Sequence, residues 1–360
     1  RVASGEEVRK TAVKVESTPQ ATPQNKEPIT IAAGGDIMLG STFPNETRMP
    51  PNDGADSLKA VAPIFQAADI AFGNLEGPMV DGGISEKCPP PKPVLPGQPI
   101  PKVNCFAFRV PTHYGKYLKE AGFDVMSVAN NHALDFGDNG RISTRRVLDS
   151  LGIKHAGSDR GQFSTTYLDV KGKKVAFIGF AHNSVSPNVN ELAFARQLVE
   201  QANKKADIVV VSFHGGAEGG ANTRVPRQTE IFFGEARGNL PAFAKTVVDA
   251  GADLVLGHGP HVLRGMEIYK DRLIAYSLGN FATYGWFRLE GATAETMVLE
   301  VKLDAEGKFV SGKINPFVLR DRGILTKDET KSAISTIRRL SQLDFPTTAP
   351  KVANDGTISK

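Results

Sequence analysis

Short apolar runs recur along the chain and are separated by longer stretches in which apolar positions follow a helical period. The runs are rich in valine, isoleucine and aromatic residues, and this composition favours buried β-strands. They cover residues 29–33, 70–72, 125–128, 175–180, 208–213, 254–256 and 273–276. Helical patterns cover residues 112–121, 140–151, 190–202 and 240–250. Because strands and helices alternate, we expect an α/β fold with functional side chains just beyond the strand ends.

The C-terminal part has a different pattern. Residues 297–303 and 309–318 alternate between apolar and polar positions around a glycine-containing turn, which predicts a β-hairpin. A charged helical pattern follows over residues 327–343. We therefore expect one folded domain over residues 29–325, followed by a C-terminal helix and tail over residues 326–360.

Residues 1–28 are rich in threonine, proline, glutamine, glutamate and lysine and contain few large apolar side chains. Such a segment cannot bury enough surface to offset the entropy lost on ordering, so we expect a flexible tether. A tether of this kind either joins a membrane anchor or signal to a folded domain or is an ordinary chain terminus. Composition alone leaves both interpretations open.

The two cysteines, Cys88 and Cys105, bracket a segment that is stiffened by prolines. A disulfide between them is predicted, and it would stabilise the fold by about 3 kcal/mol through loop closure. The alternative is a pair of unbonded thiols that act as small apolar residues. Because a disulfide implies an oxidising compartment, we expect an exported protein at the periplasmic or extracellular face of the envelope, with its anchor or signal outside this sequence.

Composition adds limits on size and partners. A chain of 360 residues with 40% hydrophobic content can bury a large core. The net charge of +4 is a small difference between 43 basic and 39 acidic residues, so no nucleic-acid partner is expected. The sequence also lacks an apolar run of the roughly 20 residues that a membrane-spanning helix needs.

Side chains that can bind metal ions follow five of the predicted strands. They are Asp36, Asn74, Glu76, Asn131, His214, His258 and His261. Taken singly, Asp36 could be a turn or cap residue and the two histidines of the Gly-Pro loop could lie on the surface. Taken together, polar side chains beside buried strands need metal or hydrogen bonds to offset their desolvation. Carboxylate, amide and imidazole ligands suit a divalent transition ion such as Mn, Fe or Zn, whereas calcium sites use oxygen almost alone.

Several motifs occur in a fixed order along residues 29–281. They read GGDIMLG, GNLEGP, AGFDVMSVANNHALDFG, GHGPHV and YSLGNF. In this order and spacing they resemble the CapA family of bacterial poly-gamma-glutamate capsule proteins, which is similar in turn to the calcineurin-like metallophosphatases and 5′-nucleotidases. The resemblance implies a four-layer α/β/β/α sandwich of two mixed sheets, whereas periodicity alone indicates only an α/β fold.

The resemblance also implies roles for individual residues. Asp36 matches the first aspartate ligand, and Glu76 or Asn74 falls where the superfamily has its metal-bridging aspartate. Asn131, His214, His258 and His261 match further ligands of one or two ions. His132 matches the histidine that contacts phosphate and protonates the leaving group, and Asp135 matches the residue that orients it. One departure is Met38, which stands at a histidine position of the superfamily, because a thioether is a poor ligand for hard divalent ions.

Three functions follow from these observations. The first is metal-assisted hydrolysis of a phosphoester, the second is processing or transfer of poly-gamma-glutamate, and the third is a non-catalytic role in capsule assembly beside membrane-bound synthase or export partners. The substrate is expected to be a small anionic molecule or poly-gamma-glutamate. Arg109, Arg264 and Asn280 are the expected substrate contacts, and Arg224 and Arg227 are further cationic candidates.

Overall fold

Two mixed β-sheets lie face to face at the centre of the protein. The computed structural model describes residues 27–88 and 105–360, so nearly all of the expected tether lies outside the described residues. The strands are β1 (Ile29–Met38), β2 (Ile70–Leu75), β3 (Val125–Ser127), β4 (Lys154–Ala156), β5 (Thr165–Val170), β6 (Lys173–Ala181), β7 (Ile208–His214), β8 (Ile231–Phe232), β9 (Glu235–Ala236), β10 (Leu254–His258), β11 (Met266–Tyr269), β12 (Arg272–Ala275), β13 (Asn280–Thr283), β14 (Glu295–Leu303), β15 (Phe309–Arg320), β16 (Ile324–Lys327), β17 (Lys351–Val352) and β18 (Thr357–Ser359). The helices are α1 (Ala62–Ala67), α2 (Gly115–Ala121), α3 (Gly137–Ser150), α4 (Leu192–Asn203), α5 (Leu240–Asp249) and α6 (Ser332–Asp344).

Both sheets combine parallel and antiparallel strand pairs. Within the described ranges, the first sheet has ten strands in the order β17-β18-β15-β14-β1-β2-β3-β4, with β13 beside β1 and β16 beside β15. The second has six strands in the order β11-β12-β10-β7-β6-β5. Strands β1 to β4 are mutually parallel, and so are β12, β10, β7 and β6. Their carboxyl ends therefore deliver loops to one edge of each sheet.

Successive residues of the central strands face different layers, which explains why both sheets have continuous apolar runs. Ile31 of β1 packs between the sheets, whereas the neighbouring Ala32 packs under α1 and α2. In the second sheet, Val210 of β7 packs between the sheets and Val211 packs under α4 and α5. The layers are therefore helices, sheet, sheet and helices, and the predicted four-layer sandwich of two mixed sheets is confirmed.

The predicted hairpin corresponds to the antiparallel pair β14 and β15. The charged helix begins later than its pattern indicates, at Ser332, because residues 324–327 form β16 and Asp328 then ends the strand. The Asp328 carboxylate accepts hydrogen bonds from the backbone N–H of Thr330 (2.9 Å) and of Ser332 (2.8 Å). Ser332 is the first residue of α6, where N–H groups lack a helical partner, so the bond to Asp328 satisfies one of them and holds the chain just before the helix.

The C-terminal residues join the first sheet and its core. Strand β18 pairs with β15, and α6 buries Ala333, Ile334 and Ile337 in the cluster between the sheets. Across residues 27–88 and 105–360, no helix is long and apolar enough to cross a membrane.

Candidate functional site

The site lies where the carboxyl ends of the two parallel strand groups meet. In the first sheet, the pairing of β1 with β2 sets Asp36 opposite Asn74. In the second sheet, the pairing of β10 with β7 sets His258 opposite His214. The backbone N–H of Gly259 donates a hydrogen bond of 3.1 Å to the Asp36 carboxylate, so the two sheet ends are joined at this point.

Asp36, Glu76 and His214 form a fully buried cluster. One ligand-type atom from each lies within 4.8 Å of the others. His214 Nε2 is 3.6 Å from Glu76 Oε1, and His214 Nδ1 is 3.8 Å from Asp36 Oδ1. Each separation exceeds hydrogen-bond length and lies in the range between two ligands of one metal ion, and a single ion would bind His214 through one of its two ring nitrogens.

His261 completes the cluster from the loop after β10. Its backbone has φ of 57°, in the left-handed region, and this turn brings the imidazole back over the sheet end. His261 Nδ1 lies 3.2 Å from Asp36 Oδ2, and Nε2 lies 3.9 Å from Glu76 Oε1. The left-handed turn therefore places both ring nitrogens beside carboxylates.

Burial and neighbouring charges shift the pKa values of three residues in the cluster. Burial raises the pKa of Glu76 well above its ordinary value. Burial alone would lower the pKa of His261, but Glu76, Asp36 and Glu218 raise it to about 10. Burial also opposes ionisation of Asp36, yet its contact with His261 holds the pKa of the carboxyl below its usual range. His261 thus favours the charged form of Asp36, whereas burial disfavours the charged form of Glu76.

The hydrogen bonding of these groups is consistent with a metal ion. Both carboxylate oxygens of Glu76, the Nε2 atom of His214 and the Oδ1 atom of Asn131 are buried without a hydrogen-bond partner among the described residues. Buried polar atoms normally have partners, and leaving them unpaired costs about 1–3 kcal/mol each. Of these groups, Glu76 and His214 converge with Asp36 within 4.8 Å, and such carboxylate and imidazole donors fit a divalent transition ion.

Two of the expected metal ligands, His258 and Asn74, contact protein groups in this structure. His258 Nε2 is 3.2 Å from the carbonyl oxygen of Gly34, and Nδ1 is 3.4 Å from the hydroxyl of Ser212. A metal role for His258 would require the ring to leave those partners. Asn74 Nδ2 donates to Asp36 Oδ1 at 2.8 Å and lies 3.2 Å from His214 Nδ1, so its amide nitrogen, rather than its oxygen, faces the cluster.

His132 and Asp135 form a pair on the loop after β3. His132 Nδ1 is 2.7 Å from Asp135 Oδ2, and that same oxygen accepts a hydrogen bond of 2.7 Å from the backbone N–H of Phe108. The ring of Phe108 stacks on His132 with centroids 3.9 Å apart. Asn130 links this loop to β2, because its side chain accepts from His132 N–H and donates to the carbonyl of Leu75. The imidazole is therefore oriented from several sides.

Lys87 is a part of this site that sequence reasoning missed. Its ammonium is 3.3 Å from His132 Nδ1, 3.3 Å from Asp135 Oδ1 and 3.2 Å from the carbonyl oxygen of Asn131. The next residue, Cys88, is joined by a disulfide to Cys105, with 5.7 Å between the Cα atoms. The proline-rich segment between these cysteines lies outside the described residues.

The expected substrate contacts are engaged with protein groups. Arg264 is fully buried, and its guanidinium forms two hydrogen bonds of 2.8 Å with the Glu230 carboxylate. Arg109 donates to Thr42 and to the carbonyl of Gly83. The Arg264 guanidinium is thus directed at a protein carboxylate instead of at open space.

The other residues expected to contact substrate, Asn280, Arg224 and Arg227, are also hydrogen-bonded to protein groups. Asn280 donates to the carbonyl oxygens of His261 and Thr293, while its own Oδ1 is buried without a partner in the described part of the chain. Arg224 and Arg227 both donate to Asp344 at the end of α6. Asn280 therefore supports the histidine loop, and the two arginines tie the chain to the C-terminal helix.

Sequence reasoning missed Glu218 and Arg237 and left the role of His182, which follows an apolar run, open. Glu218 Oε2 lies 4.0 Å from His261 Nε2, and its other oxygen accepts a hydrogen bond of 2.7 Å from buried Arg237. His182 Nδ1 is 3.3 Å from the carbonyl oxygen of His214. The sequence signal for His182 was its position after an apolar run, but Glu218 follows its strand by four residues in a glycine-rich loop and gave none.

Comparisons with known proteins give the following similarities. A 5′-nucleotidase precursor from Thermus thermophilus is 14% identical, with a TM-score of 0.43 over 81% of this chain and 54% of that one. The PGA biosynthesis protein CapA of Bacillus subtilis (strain 168) is 30% identical over 81% of this chain and 72% of its own length. The capsule biosynthesis protein CapA of Bacillus anthracis is 30% identical over 76% of this chain, which spans 65% of that relative.

The family comparison covers most of the sandwich. Residues 30–284, from β1 to the end of β13, match the model of the bacterial capsule synthesis protein PGA_cap. The matched range includes every residue of the metal-type cluster and the His132–Asp135 pair. The chain therefore belongs to the bacterial capsule synthesis protein PGA_cap family.

Proposed function

We propose that this protein is a metal-dependent hydrolase of the phosphoesterase type that acts in capsule synthesis. The observation that carries the proposal is the buried cluster of Asp36, Glu76 and His214, whose ligand-type atoms lie within 4.8 Å of one another and in which both oxygens of Glu76 and Nε2 of His214 have no hydrogen-bond partner among the described residues. Asp36, Glu76, His214, His261 and Asn131 would hold the ion. When bound, a divalent ion lowers the pKa of water and polarises a phosphoryl oxygen.

The protein's own contribution to the reaction is proton transfer and orientation. The Nδ1 atom of His132 is engaged by Asp135, which leaves Nε2 as the ring nitrogen that gives a proton. As the water oxygen bonds to phosphorus it releases a proton to solvent, the ester P–O bond breaks, and His132 protonates the departing oxygen and then regains a proton from solvent. Asp135 accepts the hydrogen bond from Nδ1–H and so orients the ring, and the imidazolium form of His132 carries the transferable proton on Nε2. The substrate is an anionic phosphoester or a modified poly-gamma-glutamate chain.

A second candidate is a non-catalytic role in assembly or export of poly-gamma-glutamate beside membrane-bound partners. Two features favour it. The buried Met38 offers a thioether, and Asn74 presents an amide N–H to Asp36, so neither adds a hard ligand or a negative charge to the centre. The names of the two CapA relatives are equally compatible with either function.

Export is part of the proposal. The Cys88–Cys105 disulfide supports it, because structural disulfides persist in oxidising compartments. Mass measurement after alkylation, with and without reductant, tests this point on protein purified from its native compartment. Two alkylated cysteines in unreduced protein would remove the support.

The test of hydrolysis combines elemental analysis with a turnover screen of phosphoesters and poly-gamma-glutamate. His132→Asn is expected to lower turnover about a hundredfold, the usual scale of general acid catalysis, with metal content unchanged. The loss should shrink for nitrophenyl esters, because a good leaving group needs little protonation. The matched control is His113→Asn, at a half-exposed histidine paired with Asp53 outside the site.

The outcomes separate the candidates. Metal-loaded protein that turns over no tested ester or polymer would favour the assembly role. Protein that binds no Mn, Fe or Zn would end the hydrolase proposal. Equal loss of metal and activity in His132→Asn would make His132 a ligand instead of a proton donor.

A further inference from the structure

A strip of aromatic side chains connects His132 with His261. The Phe108 ring stacks on the His132 ring with centroids 3.9 Å apart, and the Phe287 ring centroid lies 4.6 Å from that of His261. The rings of Phe108 and Phe287 are 6.3 Å apart, within the usual contact range of an aromatic pair. Aromatic surface therefore runs from the proton-donating histidine to the metal-type cluster.

Trp286 and Phe106 extend this strip towards solvent. The Trp286 ring centroid lies 5.4 Å from that of Phe108 and 5.9 Å from that of Phe106. Phe108 is buried, whereas Phe106 is 47% exposed and both Trp286 and Phe287 are half-buried. Phe106, Trp286 and Phe287 thus form an aromatic platform, and its exposed ring surface lies beside the groups that carry the proposed chemistry.

Two contacts hold the aromatic platform in place. The guanidinium carbon of Arg48 lies 3.5 Å from the centroid of the Trp286 ring, which is a cation–π contact. Phe106 directly follows Cys105, and the disulfide to Cys88 ties this part of the chain to the segment on the other side of the site. Rings that are already positioned lose little conformational freedom when a ligand binds, so the platform is suited to recognition.

The reaction geometry indicates which part of a substrate meets the aromatic platform. His132 gives its proton to the departing oxygen, so the group attached to that oxygen lies beside the His132 ring. Phe108 covers this ring and joins it to the platform. An aromatic ring on the leaving group gains stacking in addition to burial, and stacking alone is worth about a 2- to 10-fold gain in affinity.

We propose that Phe106, Trp286 and Phe287 form a leaving-group subsite that binds an aromatic ring. This inference rests on the proposed hydrolase function and names its substrate class, which is phosphoesters with an aromatic leaving group. The aromatic platform is then a determinant of specificity, separate from the residues that bind the ion and transfer the proton.

The experiment compares benzylphosphonate with methylphosphonate on the full chain loaded with Zn²⁺. Neither probe is hydrolysed, because a phosphorus–carbon bond replaces the ester bond. Isothermal titration calorimetry should give benzylphosphonate an affinity at least about tenfold higher, from burial and stacking of its ring. Trp286 is the only tryptophan of the chain, so a shift in its fluorescence with benzylphosphonate alone would locate the ring at the platform.

Phe106→Leu separates ring stacking from apolar contact. It should weaken benzylphosphonate about 2- to 10-fold, the scale of one aromatic pair, and leave methylphosphonate affinity unchanged. Phe106→Tyr keeps the ring and should keep the preference. The matched control is Phe233→Leu, at an 80% exposed phenylalanine that contacts the Phe232 ring in the β8–β9 hairpin. Circular dichroism verifies that each variant is folded.

The results separate this subsite from the proposed function. Equal affinity for the two phosphonates, or benzylphosphonate binding that leaves Trp286 fluorescence unchanged, would overturn the subsite even if phosphoesters are hydrolysed. Full retention of the preference in Phe106→Leu, or an equal loss in Phe233→Leu, would also overturn it. Ring-selective binding at Trp286 without turnover of any phosphoester would support the subsite and overturn the hydrolase function.

Discussion

Lys87 places a positive charge on the Nδ1 side of His132, where it also meets Asp135. Because its ammonium forms an ion pair of 3.3 Å with Asp135 Oδ1 while His132 contacts Oδ2, Lys87 helps to hold the carboxylate that orients the imidazole. Lys87→Met is expected to lower kcat about 10- to 100-fold, the scale seen when groups that orient a catalytic side chain are removed, with KM and metal content unchanged. Lys87→Arg should recover part of the loss, since guanidinium can donate to the same oxygen.

The control for this change is Lys171→Met, because Lys171 forms a comparable pair of 2.8 Å with Asp69 away from the site. It should leave kcat unchanged. A rise in KM without a change in kcat in Lys87→Met would show that Lys87 holds substrate instead of positioning Asp135.

Residues that follow strand ends were accessible to sequence reasoning, and residues brought in by loops were not. Asp36, Glu76 and His214 could be singled out because each follows an apolar run. Lys87 precedes a proline-rich segment and Glu218 lies in a glycine-rich loop, and neither position has a periodicity that predicts its neighbours. Their contacts depend on how loops cross, which local pattern does not determine.

At the scale of elements, the Arg264–Glu230 pair joins the segment after β10 to the loop after β7. Arg264 also donates to the carbonyls of Ala217 and Asn222, which flank Glu218 in sequence. Arg264→Met should lower the free energy of unfolding by about 3–5 kcal/mol, because Glu230 is left buried without its partner. The double change Arg264→Met with Glu230→Met should recover much of this loss in a urea titration.

Arg288→Met is the control for that titration. Arg288 pairs with Glu290 on the surface, where both side chains are more than two-thirds exposed. Its loss should cost less than about 1 kcal/mol. If Arg264→Met raises KM and leaves the urea midpoint unchanged, the substrate-binding role expected from sequence is right and the structural role is not.

Element boundaries show where local pattern and tertiary packing differ. The apolar run that predicts β1 ends at residue 33, but the strand continues to Met38. Glycine usually weakens or interrupts a strand, so Gly34 and Gly35 predict the end of β1. The strand continues because the backbone of Gly279 lies so close to Gly35 that any side chain there would collide with its carbonyl oxygen. The absence of a Cβ lets β1 pair with β13, which has too short an apolar pattern to be predicted.

On the scale of the whole molecule, α6 is packed against the core between the sheets. Ile337 is fully buried there, whereas Leu343 on the same helix is 51% exposed. Ile337→Ala in the full chain should lower the free energy of unfolding by about 2–5 kcal/mol, through lost burial and the cavity left behind. Leu343→Ala should change it by less than about 0.5 kcal/mol.

This pair of changes tests whether residues 326–360 unfold with the sandwich or apart from it. If α6 belongs to the same cooperative unit, Ile337→Ala shifts the single urea transition seen by both fluorescence and far-ultraviolet circular dichroism. An independent tail would give a separate early transition and leave the main midpoint in place. We expect the single shifted transition, because β18 pairs with β15 and α6 packs into the apolar cluster between the sheets. Removing either element would expose that cluster, which also supports β1 and the metal-type residues at its end.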